Sequence, residues 1–146
     1  MTGNATTPIP AFTGSFRENL EALVGVLERG DKDPAGKTIG FELERILIDR
    51  TGASVPFEGV RGVGALIAKL VELHPECEPV HIDGHLLGLS YRIDSGTESI
   101  EVAVSLEPAA QLEISAGPAH SVRALYDAVC AFDASVERAC AEIGLD

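Results

Sequence analysis

Ser105-Leu-Glu-Pro-Ala-Ala-Gln-Leu-Glu-Ile-Ser115 is the stretch from which the fold of this chain is read. Taken as extended backbone it alternates, because successive side chains of a strand point to opposite faces. Leu106, Leu112 and Ile114 fall on one side, and Ser105, Glu107, Gln111 and Glu113 on the other. Pro108 has no N–H to give to a ladder, so it marks a break between two short runs, with Ala109-Ala110 at the corner. The product is a wall with two carboxylates and an amide in front and apolar side chains behind. An ordinary solvent-facing strand alternates in the same way, so this stretch alone speaks of architecture and not of chemistry.

Working outward, Thr38-Ile-Gly-Phe-Glu-Leu-Glu-Arg-Ile-Leu-Ile48 reads as a second long strand. Its β-branched and aromatic residues suit a pleated surface. Ile39, Phe41 and Leu43 take one face; Gly40, Glu42, Glu44 and Ile46 take the other. Arg45 falls on the apolar parity and is therefore left out of any site on the acidic face. Glu42 and Glu44 are adjacent on the pleat and repel each other. A sheet that gathers Glu42, Glu44, Glu107 and Glu113 on one face calls for a hard cation such as magnesium, which takes carboxylate oxygens and leaves room for water and phosphate.

These residues carry a resemblance. Gly40-Phe-Glu-Leu-Glu44 followed by Ser105-Leu-Glu-Pro-x-x-Gln-Leu-Glu113 resembles the plant and bacterial type of glutamate–cysteine ligase, and Asp83-Gly84-His85-Leu86-Leu87-Gly88-Leu89 sits where that family has a hairpin. The two motifs in order, with the hairpin between them, are more specific than either alone. The resemblance runs from about Ile39 to the C-terminus. It implies half of a funnel-shaped sheet like that of the glutamine synthetase superfamily. The implied reaction is ATP-dependent joining of glutamate to cysteine through a γ-glutamyl phosphate, with Mg2+ or Mn2+. By the same resemblance Glu42, Glu44, Glu107 and Glu113 are the metal ligands and Gln111 orients substrate or metal-bound water. Two departures stand out: Ala109-Ala110 replaces the family's Gly-Gly, and family members are longer. The expected identity is therefore the N-terminal portion of a ligase catalytic domain, inactive by itself. Ligation of glutamate to another amine, and a non-catalytic metal-binding or assembly module, stay open as alternatives.

The remaining chain is consistent with an α+β fold. Ser15-Phe-Arg-Glu18 is a capping-box pattern that starts a helix with Phe16, Leu20, Leu23 and Leu27 on one stripe. Val63, Leu66, Ile67, Leu70 and Leu73 predict a second helix ending at His74-Pro75. Val122, Leu125, Val129, Phe132, Val136, Ala139 and Ile143 predict a third, N-capped by Ser121 and stopped by Gly144. Between them, paired strands are expected on either side of Asp83-Gly84, and a further strand over Ile100–Leu106. The fold class expected is an antiparallel or mixed sheet with about three helices packed on one face. It comprises one domain over 13–146 behind a flexible tail, residues 1–12. The strand Ile100–Leu106 and the segment after Gln111 are expected to leave an unfinished edge, and hence a homo-oligomer.

Composition narrows the classes. The chain has 146 residues, 45% of them apolar, and a net charge of −12, which describes a globular acidic chain and speaks against nucleic acid or an anionic membrane as partner. The substrates that the resemblance implies are small molecules: glutamate, cysteine and ATP. Cys77, Cys130 and Cys140 have no metal-type or redox-type spacing and read as reduced thiols. Met1 to Pro10 has neither the basic nor the apolar region of a signal peptide, so the expected location is cytoplasmic. Gly59, Gly62 and Gly64 are arranged as neither a P-loop nor a dinucleotide fingerprint, and are read as a loose lead-in to the second helix. Lys32 and Lys37 are read as solvated loop charges. His81 and His85 lie on opposite sides of the Asp83-Gly84 turn, which speaks against a shared helical zinc face.

Overall fold

A computed structural model describes residues 14–31 and 33–145, with the Pro34 side chain left out. The expected tail, residues 1–12, and Lys32 lie outside the described residues. The chain divides into two compact units at the Lys37/Thr38 junction, and each is described by itself.

The first unit holds α1, Phe16–Gly30. Ser15 and Glu18 close a reciprocal capping box, the Glu18 carboxylate accepting from the Ser15 N–H at 2.7 Å. Two of the donors that a helix start leaves unpaired are thereby satisfied.

The second unit is a sheet with two helices laid on one face. Its elements are β1 (Ile39–Arg45), α2 (Val63–Leu73), β2 (Glu78–Ile82), β3 (His85–Ser95), β4 (Glu98–Glu107), β5 (Gln111–Ala119) and α3 (Val122–Ile143). All pairings are antiparallel, and the five strands lie in the order β1-β5-β4-β3-β2. The α+β class and antiparallel sheet expected from the alternation are what the chain forms. β2 to β5 make a meander with tight connections. The first is Asp83-Gly84, with φ of 50° and 80°, the left-handed pair that a hairpin's twist demands.

The core lies between the sheet and α2 and α3. Leu89, Ile100, Val102, Val104, Leu112 and Ile114 from the strands meet Leu66, Ile67, Leu70 and Phe132 from the helices, all essentially sealed from solvent. α3 crosses β1, β3, β4 and β5, and α2 packs on α3 and β3. Arg45 reaches from β1 to α3, where its guanidinium grips the Asp133 carboxylate at 2.6 and 3.1 Å. That is the helix-covered side, as its parity demanded.

Three expectations are corrected here. Ile100–Leu106 is no edge: its strand, β4, is central between β3 and β5, and β5 is covered in turn by β1. The edges are β1 and β2, because the longest-range pairing in the chain, β1 with β5, was not readable from local pattern. Ile39, expected on the core face, is 43% exposed. The register slips between Ile39↔Ala119 and Phe41↔Ala116, so β5 carries an extra residue there and the ladder is re-aimed. β5 runs on through Gly117-Pro118 to Ala119. Val122 is likewise exposed, the buried stripe of α3 being Ala124, Leu125, Ala128, Phe132 and Ala139.

Candidate functional site

The face of the sheet opposite α2 and α3 carries the polar half of every strand. β1 contributes Glu42 and Glu44, β5 contributes Gln111, Glu113 and Ser115, and β4 contributes Glu101, Ala103, Ser105 and Glu107. Register decides who meets whom. Glu44 of β1 stands directly opposite Glu113 of β5, and Glu113 directly opposite Ser105 of β4. One step along, Glu42 faces Ser115, and Ser115 faces Ala103. Glu107 faces Gln111 at the end of β4, beside the corner.

Two like charges opposed across a ladder destabilise it. Each is met here by its own donor. The Gln111 side-chain amide donates to Glu44 Oε2. Ser105 Oγ donates to Glu113 Oε1 at 3.0 Å, and Ser115 Oγ reaches the same oxygen at 3.4 Å. A charged acceptor makes such bonds about twice as strong as neutral ones, which is how a carboxylate pair can be held on a strand pair. Ser105 is placed on this face by the sequence pattern without a role, and Ser115 is not singled out there at all. Their positions, directly across from Glu113 and two residues after it, were the available signal.

The corner that sets Gln111 is a single tight turn, Pro108–Ala110. Ala109 adopts φ 66° and ψ 26°, and Ala110 follows with φ 59°. Both are left-handed, a region that costs an L-residue about 1–2 kcal/mol. The backbone shape available to a Gly-Gly pair is therefore kept by two alanines.

Of the four glutamates singled out from sequence, the fold brings Glu44 and Glu113 together, sets Glu42 one pleat repeat (~7 Å) away on the same strand face, and leaves Glu107 exposed at the strand end. Among the described residues no group of three or more His, Cys, Asp or Glu side chains converges tightly enough to chelate an ion alone. Magnesium does not need one, since it is commonly held by one or two carboxylates with water and substrate phosphate completing its shell. The carboxylate oxygens of Glu44 and Glu113 are the kind of ligand that hard ion takes.

The slip between β1 and β5 opens a shallow cavity of about 580 Å³ next to this pair, lined in part by Gly40, Glu42, Glu101, Ala103, Ser115 and Gly117. Gly117, at φ 128°, lies so close to β1 that a Cβ there would stand 2.9 Å from Gly40 Cα. Of the described residues, Arg92 is the cation the strands turn to this face. It is occupied, bonding the Ser99 carbonyl at 2.6 Å and lying 3.7 Å from Glu101.

The three-glycine segment before α2 does not form an anion cradle. The N–H groups of Val63 and Gly64 are taken by the carbonyls of Pro56 and Phe57 at 2.9 and 3.0 Å. His81 and His85 sit on the two arms of the β2–β3 hairpin, as β2 and β3 pair around Ile82↔His85. No helix among the described residues is long and apolar enough to cross a membrane.

No curated protein sequence matches the chain. The family description "Glutamate-cysteine ligase family 2 (GCS2)" matches residues 38–146, the same span as the sheet-containing unit. That match covers most of the chain and takes in the Glu42–Glu44 strand, the hairpin and the Glu107–Glu113 corner. The chain belongs to glutamate–cysteine ligase family 2.

Proposed function

We propose that the open sheet face is one wall of an ATP-dependent glutamate–cysteine ligase site. The observation that carries the reading is the facing pair Glu44 and Glu113, each already hydrogen-bonded, on the uncovered side of the sheet. In the ligation, the γ-carboxylate of glutamate attacks the terminal phosphorus of ATP, releasing ADP and leaving a γ-glutamyl phosphate. The cysteine amine then attacks the acyl carbon, and phosphate departs as the amide forms and the amine loses a proton. Glu44 and Glu113, flanked by Glu42 and Glu107, are the groups that hold Mg2+ or Mn2+, which when bound supplies the positive charge that transferring phosphate needs. Gln111 orients a substrate oxygen or a water through the amide that now rests on Glu44. Ser105 and Ser115 hold the Glu113 carboxylate in place.

Arg92 is the cation on this wall among the described residues, and it is engaged. Phosphoryl transfer calls for cationic groups around the β- and γ-phosphates, so this chain supplies the acidic wall and completes catalysis only with a further polypeptide segment or a second copy. The edges β1 and β2 are where such an addition pairs. β2 is exposed along its whole length, Val80 and Ile82 included. Light scattering at micromolar concentration tests self-association, with a dimer expected.

The direct test is thermal unfolding with and without magnesium or manganese. An ion that binds the folded chain alone stabilises it by about 1.4 kcal/mol at ten times its Kd, a rise in Tm of about 3–5 °C for a domain of this size. Glu44→Gln with Glu113→Gln removes that rise and, by ending the repulsion, leaves the ion-free Tm unchanged or higher. A parent melting curve indifferent to both ions refutes the reading.

A further inference from the structure

α1 carries a large apolar side and buries none of it. Phe16 is 84% exposed and Leu27 76%, with Leu20, Leu23, Val24 and Val26 between 43% and 48%, and no residue of the helix is buried. A helix of 15 residues is marginal in water by itself, because helical stability comes mostly from packing an apolar face. These six side chains present on the order of 600 Å² of apolar surface, the top of the range that an ordinary monomer leaves uncovered. The spacing of the stripe is symmetric. Phe16, Leu20, Leu23 and Leu27 are separated by four, three and four residues, the alternation of a helix–helix seam. Turned about a two-fold axis between Leu20 and Leu23, Phe16 meets Leu27 of a second copy, and Leu20 meets Leu23 of that copy. Such self-complementarity is what a closed two-fold contact requires.

We propose that α1 is a self-association surface, its Phe16–Leu20–Leu23–Leu27 stripe packing antiparallel on the same stripe of a second copy of this chain. Charge permits it. Arg17 and Arg29 nearly balance Glu18, Glu21 and Glu28 on the helix, whereas the chain as a whole carries −12 and its acidic faces repel one another. The two-fold arrangement sets Arg17 within about 3 Å, along the helix axis, of the level of Glu28 of the second copy. It also places each positive helix start beside a negative helix end, where the dipoles attract. Covering both patches removes on the order of 1,200 Å² from water, the lower limit for a specific interface. The pairing is therefore weak and concentration-dependent, with a Kd on the order of tens of micromolar. It is distinct from strand pairing at the β1 and β2 edges, and it does not depend on the ligase reading.

The experiment is sedimentation velocity of the full chain under reducing conditions, from low micromolar to submillimolar concentration. It is run in an Ile82→Lys background, which charges the exposed β2 edge and discourages pairing through that strand. The expected result is a monomer–dimer equilibrium. Leu20→Glu with Leu23→Glu sets four carboxylates at the centre of the seam while exchanging one good helix former for another, and weakens the dimer about tenfold or more. Arg17→Glu alone weakens it about two- to fivefold, as befits an exposed ion pair, and adding Glu28→Arg restores it. Circular dichroism verifies that the helix is retained in each variant. A chain that is monomeric throughout, or a dimer indifferent to Leu20→Glu with Leu23→Glu, overturns the proposal. So does a fall in Tm on those two substitutions without a change of mass, which would mean that the stripe is covered within its own chain. A dimer that the leucine changes abolish but that Glu28→Arg fails to restore refutes the antiparallel register.

Discussion

The alanine corner offers a stability test whose sign and distribution follow from geometry. Ala109 and Ala110 both sit in the left-handed region, where glycine has no Cβ to clash and an L-residue is disfavoured by about 1–2 kcal/mol. Glycine also enlarges the unfolded ensemble, which takes back about 0.4–1 kcal/mol. The net gain for a residue with no other role is therefore about 0.5–1 kcal/mol. Ala109 is such a residue, because it is exposed. Ala110 is half-buried and packs against the core, and losing that methyl group costs about 0.8 kcal/mol, enough to cancel its gain. Ala109→Gly thus raises stability by about 0.5–1 kcal/mol, roughly 2–4 °C in Tm. Ala110→Gly is close to neutral, and the double variant resembles Ala109→Gly alone. Urea unfolding followed by circular dichroism reads this as a higher midpoint at unchanged slope. A lower midpoint for Ala109→Gly, or a larger gain at Ala110 than at Ala109, refutes the reasoning.

Three further outcomes follow from contacts in the core and the sheet. A Cβ at Gly88 would lie 2.3 Å from the Val104 carbonyl oxygen, a backbone atom that cannot step aside, so Gly88→Ala costs about 2–4 kcal/mol by thermal or urea unfolding. The Tyr91 hydroxyl is buried without a hydrogen-bond partner while its ring stacks on His74 at 4.1 Å; Tyr91→Phe keeps the stack, discards the orphan and raises stability by about 1 kcal/mol. Burial first, then Glu76 and Cys77, pushes this phenol up to about 12 from its unfolded value near 10. Its folded form holds the proton longer than its unfolded form does. The stability it contributes is intact below pH ~10 and is lost as pH rises through ~12, which the absorbance of the chain's two tyrosines reports and Tyr91→Phe removes. Lastly, the two-pronged Arg45–Asp133 contact gives a double-mutant coupling of about 1 kcal/mol, at the upper end for partly exposed pairs because both prongs are in place.

What could be read from sequence was whatever is local. The alternation of Leu106, Leu112 and Ile114 against Ser105, Gln111 and Glu113 has a period of two and needs no partner to be seen. The Ser15–Glu18 box, the Asp83-Gly84 turn and the Gly144 stop are likewise short-range chemistry. Glu42, Glu44 and Glu113 could be assigned to one face by parity, as could Arg45 to the other. Which strands are neighbours is not legible, because hydrogen-bonded order is a property of the closed sheet, and local pattern alone leaves β4 indistinguishable from an edge. The extra residue in β5 escaped for a related reason. A register slip exists only between two strands, and neither Gly117-Pro118 nor Ile39-Gly40 announces it alone. The cavity beside Glu42 is a consequence of that slip.

The meander and β1 also differ as objects in time. β2 to β5 fold by a sequence of short reversals, each closing a loop of a few residues. β1 must find β5 across all the chain between Arg45 and Gln111, and that closure costs about 3 kcal/mol more than a hairpin's. As an edge strand it is held by a ladder on one side only, by Phe41 and Leu43 against the core and by Arg45 on Asp133. β1 can therefore detach as a local opening beneath the global one. When it lifts, Glu42 and Glu44 leave together while Gln111 and Glu113 stay with the meander. The acidic wall is thus a two-part device with a seam down its middle, and whatever ligand spans the seam acts as the fastener that keeps the first strand in its sheet.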